Sequence, residues 1–168
     1  MNTVSGKLIE RTWNRLNEAA PEDLQAAVER MMAEQPFLAA YLLAVEDVHL
    51  PEAERGQVIL IALFLWEVLS AGRPPLRCVS QEEIDAAEEA NIRFLERLES
   101  GSEMDYLDSV QELLDTYNQG PLLQAVIEAI MSEHGEDPDA APEGVGMALL
   151  HLKTVLDCLD QSAPEPED

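Results

Sequence analysis

The stretch Val58-Ile59-Leu60-Ile61-Ala62-Leu63-Phe64-Leu65-Trp66 contains no charged residue, and Glu67 is the first to follow it. Gly72, Pro74 and Pro75 stop the segment, and Pro51 marks its start, so it reads as the heart of a helix over 53–71. A helix that is apolar on nearly every side has no face for water and must be surrounded by other elements. The run is also well short of the ~20 apolar residues that cross a bilayer. It is therefore expected at the centre of a protein core, with the other elements built around it.

Working outward, helix signals recur and strand signals are nearly absent, since β-branched residues are sparse and no long run alternates. Ile9, Trp13 and Leu16 share one face of a first helix over about 3–19. Pro21 with Glu22 and Asp23 opens a second, because proline tolerates the first turn and acids suit the N-terminal end of the dipole. Pro36 opens a third that carries Leu38, Tyr41, Leu42 and Val45. Beyond the apolar fourth, Ser80 and Glu83 have the spacing of a capping box and open a fifth. Ser102 and Asp105 open a sixth, and Gly120-Pro121 is the break before a seventh. Leu149, Leu152, Leu156 and Leu159 mark an eighth over 143–161. Residues 162–168 form an acidic tail containing proline, expected to be disordered.

The two halves of this series resemble each other. Arg11, Arg15 and Leu16 align with Arg93, Arg97 and Leu98. Pro36, Leu38 and His49 align with Pro121, Leu123 and His134, and Ile61, Phe64 and Val68 align with Leu149, Leu152 and Leu156. The offset changes only at breaks between helices, where insertions cost least. The sequence thus predicts an all-α fold of about eight helices in one domain over 1–161. Two quasi-equivalent four-helix halves, about 3–75 and 80–161, would be related by internal duplication and packed around the apolar helices 53–71 and 143–161.

The 168 residues include 34 acids against 10 Lys and Arg, a formal charge of −24, while 46% hydrophobic content is ample for a core. That charge disfavours nucleic acid and anionic membranes and favours a basic protein partner. Cys78 and Cys158 are far apart and read as reduced thiols in a cytoplasmic protein.

Chemistry is sparse. Glu46 and His49 sit one helical turn apart, a spacing used by carboxylate-bridged metal centres, with His134 as the counterpart histidine of the second half. The position matching Glu46 is Met131, and both histidines fall at helix C-termini, where imidazolium caps carbonyls, so capping is the favoured reading and no metal or other cofactor is expected. His151 borders the apolar stripe of the eighth helix. No nucleophile stands beside a base, and no glycine-rich phosphate loop is present. Lys7, Arg11 and Arg15 line one face of the first helix, and Arg93 and Arg97 repeat the feature in the fifth. These five are the candidate partner contacts, or else they pair with the surplus acids. The function expected is a non-enzymatic protein-interaction module, namely a small helical adaptor, chaperone-like subunit or regulator, with a homodimer as one possible assembly. The alternatives are an acidic mimic of DNA that inhibits a basic DNA-binding protein, and a helical metalloprotein using Glu46 and His49.

Overall fold

The computed structural model describes residues 2–49, 52–99, 103–134 and 142–163. Among them are eight helices and no strand: α1 (Gly6–Glu18), α2 (Pro21–Glu34), α3 (Pro36–His49), α4 (Glu52–Ser70), α5 (Gln81–Glu99), α6 (Glu103–Thr116), α7 (Gly120–His134) and α8 (Pro142–Gln161). Local chemistry sets several of the ends. Proline stands first in α2, α3 and α8, where its missing N–H has no partner to lose. Gly72, with φ +67°, takes the left-handed turn that ends α4. Gly120 is required for a different reason, since a Cβ there would lie 2.3 Å from the Leu114 carbonyl oxygen.

The capping box at the start of α5 is present. The Ser80 amide donates to Glu83 Oε2 at 2.8 Å, and the Glu83 amide donates to Ser80 Oγ at 3.3 Å. Arg77 grips the same carboxylate with both terminal nitrogens, at 2.9 and 2.7 Å. Ser102, read as the cap of the sixth helix, lies outside the described residues, as do residues 135–141.

α4 and α8 pack against each other at the centre. α4 also meets α1, α2, α3 and α7, and α8 also meets α3, α5 and α7. Ala62, Leu63, Leu65, Val68, Leu69, Leu152 and Leu156 are completely buried. This is the position that an all-round apolar helix requires, because burying each large aliphatic side chain contributes about 1.5–3 kcal/mol. Trp13 from α1 stacks edge-on against Phe64 with ring centroids 4.9 Å apart. The one charge that interrupts the run, Glu67, is held by Arg15 at 2.8 Å and Arg30 at 3.0 Å. A carboxylate this close to a core needs such counter-ions.

The neighbour relations have a two-fold pattern. Exchanging the first four helices for the last four converts α1 on α4 into α5 on α8, α2 on α3 into α6 on α7, and α3 on α4 into α7 on α8. It also converts α1 on α7 into α5 on α3, and α3 on α8 into α7 on α4. The contacts of α2 with α4 and of α5 with α6 have no counterpart of similar extent.

Two buried glutamines at the starts of α3 and α7 tie the halves together. Gln35 accepts the Val79 amide at 2.9 Å and donates to the Arg77 carbonyl at 3.0 Å. Gln119 accepts the Val4 amide at 3.0 Å and donates to the Asn2 carbonyl at 3.2 Å. The arm entering α1 is therefore used up by Gln119, which is why α1 starts at Gly6 rather than near Thr3. Ser162 is buried and its carbonyl accepts the Arg77 amide at 2.9 Å, so the ordered chain continues past the end of α8. Residues 164–168 of the acidic tail lie outside the described residues.

Candidate functional site

The first of two candidate surfaces surrounds the C-terminal end of α4. Arg11 and Arg15 come from α1, Arg30 and Glu34 from α2, Trp66, Glu67 and Ser70 from α4, and Arg73 from the turn that follows. Together they line a cleft of about 380 Å³. Arg15 and Arg30 each take one oxygen of Glu67. The Arg30 guanidinium also lies 5.1 Å from the centroid of the Trp66 ring, a cation–π position. Lys7, Arg11 and Arg73 form no ion pair among the described residues, although the chain holds 34 acids. Trp66 is 3% exposed, and neither its Nε1 nor Ser70 Oγ, one turn later, has a hydrogen-bond partner.

The second surface is the outer side of α3. From Pro36 to Val45 this helix contains no charged residue. Its outward positions are Pro36, Phe37, Ala40, Leu43 and Ala44, all apolar. Phe37 is 46% exposed and Leu43 is 47% exposed. The outward positions of α7, the helix placed equivalently, include Gln124, Glu128 and Ser132. The Tyr41 hydroxyl donates to Glu88 at 2.8 Å and sets α3 beside α5, where Ile92, one turn beyond Glu88, is 40% exposed.

Two polar networks between helices serve the fold. Tyr41 also lies 2.6 Å from His151 Nδ1. His151 is buried within this group, not at the boundary of α8 as the sequence suggested, because the phenol and the Glu88 carboxylate reach in to meet it. Next along α8, Lys153 donates to Asn91 and Asp157, both at 2.9 Å. Asn91 donates to Thr154 at 3.1 Å and to Asp157 at 2.9 Å, and the Tyr117 hydroxyl donates to Asp157 as well. Burial, with the neighbouring carboxylates, holds both phenols protonated well above the ordinary tyrosine range. Hydrogen-bonded groups of this kind fix helix positions.

Of the residues singled out in sequence, Arg11 and Arg15 enter the cleft. Lys7 stands nearby on the same helix face. Arg93 does not join them: it pairs with Glu89 on its own helix at 2.7 Å. Arg97 sits 5.8 Å from the Phe94 ring centroid. Counted from Ser5 and Ser80, the α5 arginines lie about two turns farther along than those of α1, so they do not form an equivalent surface. His49 and His134 are the last residues of α3 and α7, but their side chains and that of Glu46 lie outside the described residues. Among the described residues no three His, Cys, Asp or Glu side chains gather as a metal ion would need.

Arg30, Arg73, Trp66 and Ser70 were not singled out in the sequence. Glu67 was the available signal, since a carboxylate on an otherwise apolar helix demands cations from elsewhere, but it does not say which ones. Comparison with protein-family models, with curated proteins and with solved structures returned no match to this chain.

Proposed function

We propose that this chain is a non-enzymatic protein-interaction module, built from two related four-helix halves, that receives an apolar segment of a basic protein on the outer face of α3. The observation that carries this reading is the uncharged outward face Phe37-Ala40-Leu43-Ala44 in a chain of which 26% is charged. Large exposed apolar side chains grouped on one helix face favour burial against a partner helix, in the manner of helix-in-groove recognition. The partner's charge follows from the net −24, which draws a basic rim towards the apolar contact and slows approach of anything acidic. Self-association through this face would bring two copies of that charge together, so a different, basic chain is the better occupant. Two free cysteines accord with a reducing, cytoplasmic compartment.

The relation between halves is supported by the exchangeable helix contacts and by the matched positions of Gln35 and Gln119. On that reading α7 kept the burial pattern of α3 and gained polar outward residues, leaving one half to bind.

The test compares wild type with a Phe37→Glu/Leu43→Glu double variant as bait. The expected result is a basic protein held by wild type, released by salt, and lost from the variant while helicity is unchanged. Equal retention by both baits, or a dimer in sedimentation that the double variant dissociates, would overturn the assignment of this face to a basic partner.

A further inference from the structure

We infer that the cleft between α1, α2 and the end of α4 is a binding site for a small oxyanion, a phosphate or a dicarboxylate, held by Arg11 and Arg73 and by the polar atoms of Trp66 and Ser70. Four arginines and two glutamates line this cleft, in a chain where acids outnumber bases by 34 to 10. The local excess of positive charge is the reverse of the surrounding surface. Arg15 and Arg30 are neutralised by Glu67, whereas Arg11 and Arg73 have no ion-pair partner among the described residues although acids abound. A guanidinium presents a planar fork of donors that matches two oxygens of a carboxylate or phosphate.

Trp66 and Ser70 add an independent observation. An indole N–H this deeply buried ordinarily finds an acceptor, and leaving it without one destabilises the free protein. The serine hydroxyl one turn further along lacks a partner too, and both residues line the same cleft. An acceptor oxygen arriving in the cleft would satisfy both. Arg30 covers the Trp66 ring and is bonded to Glu67 at 3.0 Å, but its side chain is 58% exposed, so an entering anion would compete with Glu67 for the guanidinium and draw it aside. The cleft volume, about 380 Å³, lies at the small end of the range for ligand pockets. The negative field of the rest of the chain repels an extended polyanion, which leaves a compact anion as the occupant.

The experiment follows the two indole N–H resonances of the protein during titration with sodium phosphate, sodium succinate, and sodium chloride at matched ionic strength. Trp13→Phe assigns the remaining signal to Trp66. The expected result is a saturable shift of the Trp66 resonance with phosphate or succinate and none beyond the general salt effect with chloride. The anion that saturates at lower concentration identifies the ligand class. Arg11→Gln/Arg73→Gln should weaken the response roughly tenfold or more, as loss of charge-assisted hydrogen bonds does, and Arg93→Gln should leave it unchanged. Ser70→Ala retains every charge, so it should raise the melting temperature of the free protein while weakening the titration. A Trp66 resonance that follows chloride as it follows phosphate and succinate, or an undiminished response in the double arginine variant, would overturn the assignment.

Discussion

The side-chain oxygen of Gln35 accepts the amide of Val79 at 2.9 Å, joining the start of α3 to the arm that leads into α5. Gln119 at the start of α7 does the same for Val4 on the arm that leads into α1. Each glutamine lies in one half and holds the entrance of the other. The halves are therefore hydrogen-bonded across their boundary twice, as well as sharing the α4–α8 core.

Gln35→Ala and Gln119→Ala should each destabilise the protein by about 1–3 kcal/mol, since each leaves a buried backbone amide without an acceptor. Urea denaturation gives the cost. Hydrogen exchange localises it: the Val4 amide should lose protection in Gln119→Ala and the Val79 amide in Gln35→Ala. Uniform loss of protection across both arms in either variant would contradict separate clamps.

The two thiols should differ sharply in reactivity. Cys78 is exposed, whereas Cys158 is buried, and burial, with Asp157 and Glu83 nearby, pushes its thiol up to about 12. The thiolate is the reactive form, so a disulfide reagent at neutral pH should label Cys78 alone in the native protein and both residues after denaturation. Rapid native labelling of a Cys78→Ser variant would show the region around Cys158 to be open.

The start of α5 carries an acid-sensitive contact. The Arg77 guanidinium, and then the Ser80 amide, hold Glu83 down to about 2 from an ordinary 4.5. Folding therefore favours the ionised form, and its contribution is complete above 4.5 and disappears as pH falls from there towards 2. The site is solvent-screened, so the contribution is below about 1 kcal/mol. Subtracting the stability of Glu83→Gln from that of wild type should give a difference that shrinks over this window and is flat above it. A difference that grows on acidification would reverse the assignment.

Alkaline pH should act through the phenols. Burial is the largest cause of the upward shifts of Tyr41 and Tyr117, followed by Glu88 and Asp157 respectively. Both are neutral in the fold, so their stabilisation is intact below the ordinary value of 10.0 and is withdrawn as pH rises beyond it. Near-ultraviolet absorbance should show at most one of the three tyrosines ionising before helicity is lost. Two or more ionising while circular dichroism is unchanged would refute the buried-phenol account.

Much of the fold was legible in side-chain pattern. Val58–Trp66 has no polar face, and Val58 and Ile61–Trp66 are buried in the core, with Ile59 and Leu60 partly exposed. Ser80 and Glu83 have capping-box spacing, and both bonds are present. The register between α3 and α7 was less legible. Aligning Pro36 with Pro121 sets the buried Ala39 on the exposed Gln124. Aligning Gln35 with Gln119, one residue less, sets the buried Leu38, Ala39 and Leu42 on the buried Leu122, Leu123 and Val126. Proline misleads here because α3 begins on its proline whereas α7 begins on Gly120, the residue before. The basic residues of α1 were visible as a stripe, but Arg30 and Arg73 belong to other elements and nothing in their local sequence joins them to it.

The sequence by itself determined the helices, most of their ends, and which of them would be central, because those depend on periodicity and on residues within a turn of each other. The tertiary structure alone decided the rest. It gathered α1, α2 and the turn after α4 around Trp66 and Ser70, it buried His151 between Tyr41 and Glu88, and among the described residues it left Phe37 and Leu43 on the outer face of α3 exposed. Those outcomes depend on how rigid rods pack, and packing brings together side chains whose distance along the chain carries no information about their distance in space.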